Sequence, residues 1–89
     1  MLVTTKEMLI KAKKEHYAVP AINTQGGNYD IIWAICNAAQ QMRSPAILAH
    51  YVATGAYSGD DWFVEVCKWC ANKVDVPIAI HLDHGNDFD

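Results

Sequence analysis

The side chains best suited to chemistry lie near the end of the sequence, in the run His81-Leu82-Asp83-His84-Gly85. A carboxylate can act as a general acid or base, and an imidazole can do the same or bind a metal ion. Neighbouring residues of an extended strand point to opposite faces, so Asp83 and His84 can share one pocket only where a strand ends. Gly85 favours a tight turn by which the chain leaves the strand at this point. Polar residues at strand ends are also common as loop anchors, and the spacing alone leaves both interpretations open.

Three apolar runs, each with a proline near its start, would position these side chains. They span 18–23, 44–50 and 76–84. Proline suits the first residue of a strand because it fixes φ and has no N–H to donate. Runs that are apolar at consecutive positions are typical of parallel strands covered on both faces. The sequence therefore predicts three strands of a parallel sheet, with a candidate site at their carboxyl ends, which carry Asn23, His50-Tyr51 and the Asp83-His84 pair.

The stretches between these runs have helical spacing. The first apolar stripe consists of Ile31, Ile35, Ala38 and Met42, and the second of Phe63, Cys67, Cys70 and Val74. A capping-box pattern, Thr4-Thr5-Lys6-Glu7, predicts another helix that runs to about His16. Cys67 and Cys70 have the spacing of a metal or redox motif, but their place on an apolar stripe favours buried thiols.

The predicted order is helix-strand-helix-strand-helix-strand (α-β-α-β-α-β). Right-handed crossovers put the two connecting helices on one side of the sheet if the strands are laid down in sequence order. We therefore predict an α/β fold that is part of a TIM (β/α)8 barrel. A three-stranded flavodoxin-like sheet, with helices on both faces, is the alternative.

Composition narrows the class of protein. The chain has 89 residues, which suffice for one domain, and a net charge of −3, so no basic surface is available for nucleic acid or an anionic membrane. No apolar run approaches the roughly 18 residues of a membrane span, and the first residues are too charged for a signal peptide. Three cysteines are an odd number and a poor disulfide framework. These features predict a cytoplasmic protein that binds neither nucleic acid nor membranes.

Four segments together resemble the class II, metal-dependent fructose-bisphosphate aldolases and the similar tagatose-bisphosphate aldolases. The segments are Leu2–Leu9, Tyr17–Asn23, Arg43–Leu48 and Val76–Gly85, of which the last, with its His-Leu-Asp-His-Gly run, is the most specific. The resemblance covers nearly the whole chain. It implies a TIM barrel roughly three times as long as this chain, so residues 1–89 are expected to be an N-terminal fragment of a single barrel domain, inactive alone.

The resemblance also implies roles for individual residues. His84 matches the first of three histidine ligands of a catalytic Zn²⁺, Asp83 matches the acid/base, and Asn23 matches an asparagine that contacts the bound ketose phosphate. The implied activity is that of an aldehyde-lyase: reversible cleavage of fructose 1,6-bisphosphate or a similar ketose bisphosphate to dihydroxyacetone phosphate and an aldehyde. The substrate is thus a small phosphosugar, and the full-length form is expected to be a homo-oligomer.

One position departs from the family pattern. Tyr51 stands where such enzymes commonly carry a serine near the substrate, which leaves that contact and the identity of the ketose open. His81 is expected to be a hydrogen-bonded interior residue, and His50 is not expected to act directly. Two other functions remain open: a non-catalytic truncated half-barrel, or another metal-dependent barrel enzyme that acts on phosphosugars.

Overall fold

A computed structural model describes residues 1–87 and shows one parallel sheet with helices packed on it. The strands are β1 (Ala21–Asn23), β2 (Ala46–Tyr51) and β3 (Ile78–Asp83), in the spatial order β1-β2-β3. The helices are α1 (Thr5–Glu15), α2 (Tyr29–Met42), α3 (Val52–Ser58) and α4 (Asp60–Ala71). The three strands therefore lie in the sheet in the order in which they occur in the sequence, as predicted.

A proline immediately precedes each strand. Pro20, Pro45 and Pro77 come one residue before β1, β2 and β3. At this position the missing N–H costs no ladder bond, while the proline carbonyl can still accept one. The Pro20 carbonyl accepts a hydrogen bond from the Ile47 N–H at 2.9 Å, and the Pro77 carbonyl accepts one from the Ala46 N–H at 3.2 Å. The prolines thus mark where parallel pairing begins.

Side-chain caps start two of the helices, and the first of them is the Thr4 cap that the sequence predicts. The Thr4 hydroxyl accepts a hydrogen bond from the Glu7 N–H at 3.4 Å, and the Asn28 carboxamide oxygen accepts one from the Ile31 N–H at 3.1 Å. These bonds satisfy N–H groups that have no partner within the helix. Arg43 ends α2 in the left-handed conformation, with φ of 51°.

The connection between β2 and β3 differs from the prediction, since it contains two helices. The short α3 occupies residues 52–58, and α4 begins only after Gly59. The α3 sequence, VATGAYS, includes a glycine and has no apolar stripe, so periodicity could not reveal it. Helix α4 ends at Ala71, so Val74 lies beyond the helix although it is buried in the same core.

The sheet buries one face much more extensively than the other. Helices α2 and α4 pack on the same face, where the main core includes Ile32, Cys36, Leu48, Phe63, Cys67 and Ile78. On the opposite face a small cluster forms where Met8 of α1 meets Ile47 and Ala79. Both crossover helices therefore lie on one side, which agrees with a partial barrel rather than with a doubly wound sheet.

None of the helices within residues 1–87 is long and apolar enough to cross a membrane.

Candidate active site

The candidate site lies at the carboxyl ends of the strands, on the face that α2 and α4 do not cover. Because side chains alternate along a strand, Asn23, Tyr51 and Asp83 share this face, whereas Leu48 and Ile80 point to the helices. In the parallel register Tyr51 lies directly opposite Asp83, and Asn23 lies opposite Ala49. We call the four residues Asn23, Tyr51, Asp83 and His84 the rim.

Asp83 and His84 are brought together by a change in backbone direction. β3 ends at Asp83, and His84 adopts the left-handed conformation with φ of 58°. The His84 N–H donates a hydrogen bond to Asp83 Oδ1 at 3.1 Å, and His84 Nε2 lies 3.7 Å from Asp83 Oδ2. The left-handed residue that ends the strand is therefore His84 itself, and Gly85, the residue suggested by the sequence, does not have a positive φ.

Both side chains of the pair are open to solvent. The Asp83 side chain is 52% exposed and that of His84 is 70% exposed. A carboxylate and an imidazole in this arrangement can exchange protons with a substrate that reaches the rim, or the imidazole can bind a cation while the carboxylate remains available as a base.

Tyr51 forms one wall of the rim beside this pair. Its ring meets the His84 ring edge to face, with a centroid separation of 5.3 Å and an interplanar angle of 79°. Sequence reasoning identified the position of Tyr51 but not this contact. The contact joins residues far apart in the chain, so no signal in the sequence reveals it without the β2–β3 register.

Asn23 lies at the end of β1, two strands away from Asp83, which corresponds to roughly 10 Å across the sheet. Its carboxamide oxygen accepts a hydrogen bond from the Gln25 N–H at 2.9 Å. This turn engages the carboxamide oxygen, so the N–H₂ group is the part of the side chain that could donate hydrogen bonds to other groups.

The other two histidines at strand ends differ from each other in orientation. His81 lies on the same face as Asp83, as alternation predicts, but it is exposed rather than in an interior, because no described element covers it. His50 points to the helices and is 3% exposed. Its ring stacks on Phe63 at 4.0 Å, and its Nε2 lies 2.9 Å from Asp60 Oδ1. His50 is therefore not part of the rim.

The rim can supply one corner of a metal site. Within residues 1–87 no three His, Cys, Asp or Glu side chains come together in a way that could hold a metal ion. Catalytic zinc usually has three protein ligands, so the exposed imidazole of His84 suits a shared site but cannot hold the ion alone.

The three cysteines lie elsewhere and are not candidates for ligands. Cys36, Cys67 and Cys70 are fully buried between the sheet and its helices, as predicted for Cys67 and Cys70 from their place on an apolar stripe. Burial raises the pKa of Cys36 to about 11 and that of Cys67 to about 12. Both groups therefore remain neutral thiols at physiological pH, and neutral thiols are poor nucleophiles and poor metal ligands.

Parallel strands in sequence order, crossover helices on one side and an acid–imidazole pair at the carboxyl ends define a protein of the β/α-barrel class. Residues 3–89 match the family described as fructose-bisphosphate aldolase class-II. The match extends over almost the whole chain, and the chain belongs to this family.

Individual relatives agree with this assignment. The chain is 44% identical to a fructose-bisphosphate aldolase of Mycoplasma pneumoniae, with 97% of the chain covered, and 40% identical to one of Thermus caldophilus, with 100% covered. It is 37% identical to the D-tagatose-1,6-bisphosphate aldolase subunit GatY of Klebsiella oxytoca, with 98% covered. The chain spans 28–30% of the length of these three relatives.

The fold is also similar to a solved aldolase structure. The crystal structure of the YdjI aldolase from Escherichia coli K12 superposes with a TM-score of 0.87 at 25% sequence identity, covering 99% of this chain and 34% of that one. The partial-barrel prediction is therefore confirmed, and a flavodoxin-like sheet is not supported.

Proposed function

We propose that residues 1–89 are the N-terminal portion of the barrel domain of a zinc-dependent ketose-bisphosphate aldolase. The enzyme would reversibly cleave a phosphosugar to dihydroxyacetone phosphate and an aldehyde. The observation that carries this proposal is the Asp83–His84 pair at the carboxyl end of β3, with 3.7 Å between Oδ2 and Nε2. Membership of the family supports the reaction class, and the relatives named above include both fructose- and tagatose-bisphosphate aldolases.

Each rim residue has a distinct part in this proposal. A zinc ion, when bound, supplies Lewis-acid polarisation of the ketose carbonyl, and His84 would be one of its ligands. In cleavage, Asp83 accepts the proton of the C4 hydroxyl while the C3–C4 electron pair moves toward the carbonyl group. In condensation, Asp83 returns that proton to the aldehyde oxygen. The exposed carboxylate at the rim is accessible to a substrate hydroxyl.

Asn23 would bind rather than react. Its carboxamide oxygen is engaged with the Gln25 N–H, which directs the amide donors to a ligand. A ketose phosphate has hydroxyl and phosphate oxygens that such donors recognise. We further propose that the remaining zinc ligands come from other segments of a full-length, cytoplasmic homo-oligomer.

Replacing Asp83 tests the proposal in the full-length protein that contains this segment. We expect Asp83→Ala to lower kcat by about 100-fold or more, the usual effect of removing a general acid or base, while zinc remains bound. Steady-state cleavage assays and metal analysis by mass spectrometry would measure the two effects. His84→Ala, in contrast, should lose zinc.

Asp75→Ala is a matched control, because Asp75 is an exposed carboxylate just before the opposite end of β3. This variant should retain both turnover and zinc. Unchanged turnover in Asp83→Ala would exclude Asp83 as the acid/base, and a parent protein that cleaves no ketose bisphosphate would overturn the proposed reaction.

A further inference from the structure

Tyr51 is the aromatic side chain that contacts His84 at the rim. The two ring centroids are 5.3 Å apart, and the rings are nearly perpendicular at 79°. Aromatic rings prefer this edge-to-face arrangement because the positive edge of one ring meets the negative face of the other. The contact therefore has the geometry that a pair of aromatic rings favours.

The backbone of Tyr51 is well placed to hold its ring still. Tyr51 is the last residue of β2, where it pairs with Asp83, and the next residue begins α3. Its carbonyl accepts a hydrogen bond from the Thr54 hydroxyl at 2.9 Å, which ties the strand end to the first turn of that helix. The backbone that carries the ring is thus held between two regular elements.

His84 has much less support of its own. It follows the last residue of β3, its side chain is 70% exposed, and its backbone has the unusual φ of 58°. Asp83 contacts its Nε2 at 3.7 Å, which is longer than a hydrogen bond. An exposed imidazole with this little contact would sample several rotamers, unless a neighbouring group selects one of them.

We propose that Tyr51 is a positioning residue: its ring packs against the imidazole of His84 and selects the orientation in which His84 binds the metal. This inference rests on the proposed function, because it takes His84 to be a metal ligand. Groups that orient a ligand histidine raise metal affinity because the ligand then loses less freedom on binding. The property required of residue 51 is an aromatic ring, and the hydroxyl is not needed.

Zinc affinity of the full-length protein is the appropriate measurement, and competition with a chromophoric chelator can determine it. Tyr51→Leu removes the aromatic ring but keeps a bulky side chain, and we expect it to weaken zinc binding about 3- to 10-fold, the range typical of an aromatic pair. Tyr51→Phe keeps the ring and should remain within about 2-fold of the parent. The absorption spectrum of the Co²⁺-substituted protein should change in Tyr51→Leu and not in Tyr51→Phe.

Tyr57→Leu is the matched control, because Tyr57 lies on α3 and is 95% exposed. This variant should bind zinc as the parent does. Thermal melts of all variants identify any loss that comes from unfolding. If Tyr51→Leu does not fold, Tyr51→Met, which also lacks a ring, replaces it in the comparison with Tyr51→Phe.

The outcomes separate this inference from the proposed function. If His84→Ala leaves zinc affinity unchanged, His84 is not a ligand and the proposed metal site is wrong. If His84→Ala abolishes binding while folded Tyr51→Leu binds zinc as tightly as the parent, only the role of Tyr51 is wrong. An equal loss in Tyr51→Phe and Tyr51→Leu would also overturn it, since the hydroxyl rather than the ring would then be responsible.

Discussion

The imidazole of His84 lies beside the Asp83 carboxylate because the backbone of His84 leaves the β region. Its φ of 58° is uncommon for a residue with a side chain and costs on the order of 1–2 kcal/mol. The His84 N–H bond to Asp83 Oδ1 at 3.1 Å offsets part of this cost. Strained residues of this kind are concentrated at functional sites, where the required geometry outweighs the local preference. The rim is thus defined by backbone conformation as much as by residue type.

The buried thiols make stability sensitive to high pH. Burial raises the pKa of Cys36 from 9.0 to about 11 and that of Cys67 from 9.0 to about 12. Above pH 9 the unfolded chain loses these protons while the folded chain keeps them, so the free energy of unfolding falls as the pH rises. The loss continues to about pH 11 for Cys36 and about pH 12 for Cys67. Each thiol contributes at most about 1.4 kcal/mol per pH unit.

Urea denaturation of the full-length protein at pH 8, 9 and 10 would measure this decline. In Cys67→Ala the free energy of unfolding should fall less steeply with pH than in the parent. Near pH 10 the two slopes should differ by nearly the full contribution of one thiol. The two proteins differ only at residue 67, so the difference in slope isolates this thiol. Parallel declines would show that Cys67 does not titrate differently in the folded and unfolded states.

At the scale of elements, α3 is held against the strand that precedes it by a close approach at Gly55. A Cβ atom at this position would lie 2.3 Å from Nε2 of His50 and 2.8 Å from Oδ1 of Asp60. Gly55 is therefore required for space, since its φ is not positive. The absence of a side chain lets the His50 ring stack on Phe63 and meet the Asp60 carboxylate at the start of α4.

Gly55→Ala should accordingly destabilise the protein although alanine is the better helix former. We expect a net loss of up to about 2 kcal/mol, because crowding of this kind typically costs about 1–3 kcal/mol and the gain in helix propensity is about 1 kcal/mol. Chemical denaturation of the full-length protein would measure the loss.

The same substitution in the His50→Ala variant tests whether contact with His50 causes the loss. In His50→Ala the imidazole is gone, so adding Gly55→Ala should cost little or even stabilise the protein. If Gly55→Ala costs the same in both backgrounds, the crowding between Gly55 and His50 is not the cause.

The elements differ in how far the sequence could predict them. The prolines and apolar runs located all three strands, and the stripes through Ile35 and Cys67 located α2 and α4. Helix α3 escaped prediction because a tertiary contact at Gly55, rather than an apolar stripe, determines its place. The positions of Asp83 and His84 at a strand end followed from the sequence. The left-handed φ of His84 and the ring of Tyr51 did not, because both depend on the folded backbone.

At the scale of the whole molecule, the described chain leaves the outer edge of β1 unpaired and covers the outer edge of β3 only at Ile78, which pairs with Leu2. β1 and β3 are the outer strands, and each carries an apolar side chain that is largely exposed: Ile22 is 41% exposed and Leu82 is 55% exposed. Met42, at the end of α2, is 77% exposed. Unpaired strand edges with apolar neighbours promote association with other chains. In a barrel, further strands and helices would cover these surfaces.

The 89-residue chain by itself should therefore associate and should bind no zinc in stoichiometric amount. Its edges favour oligomers or aggregates, and residues 1–87 offer no three-ligand cluster for the ion. We expect a broad or high-mass distribution in size-exclusion chromatography with light scattering, less than one zinc per chain by elemental analysis, and no aldolase activity. The full-length protein, measured alongside, should show a defined mass, bound zinc and activity. A monodisperse monomer with a cooperative melt would mean that this sheet needs no further strands, and stoichiometric zinc would mean that ligands other than His84 exist within these 89 residues.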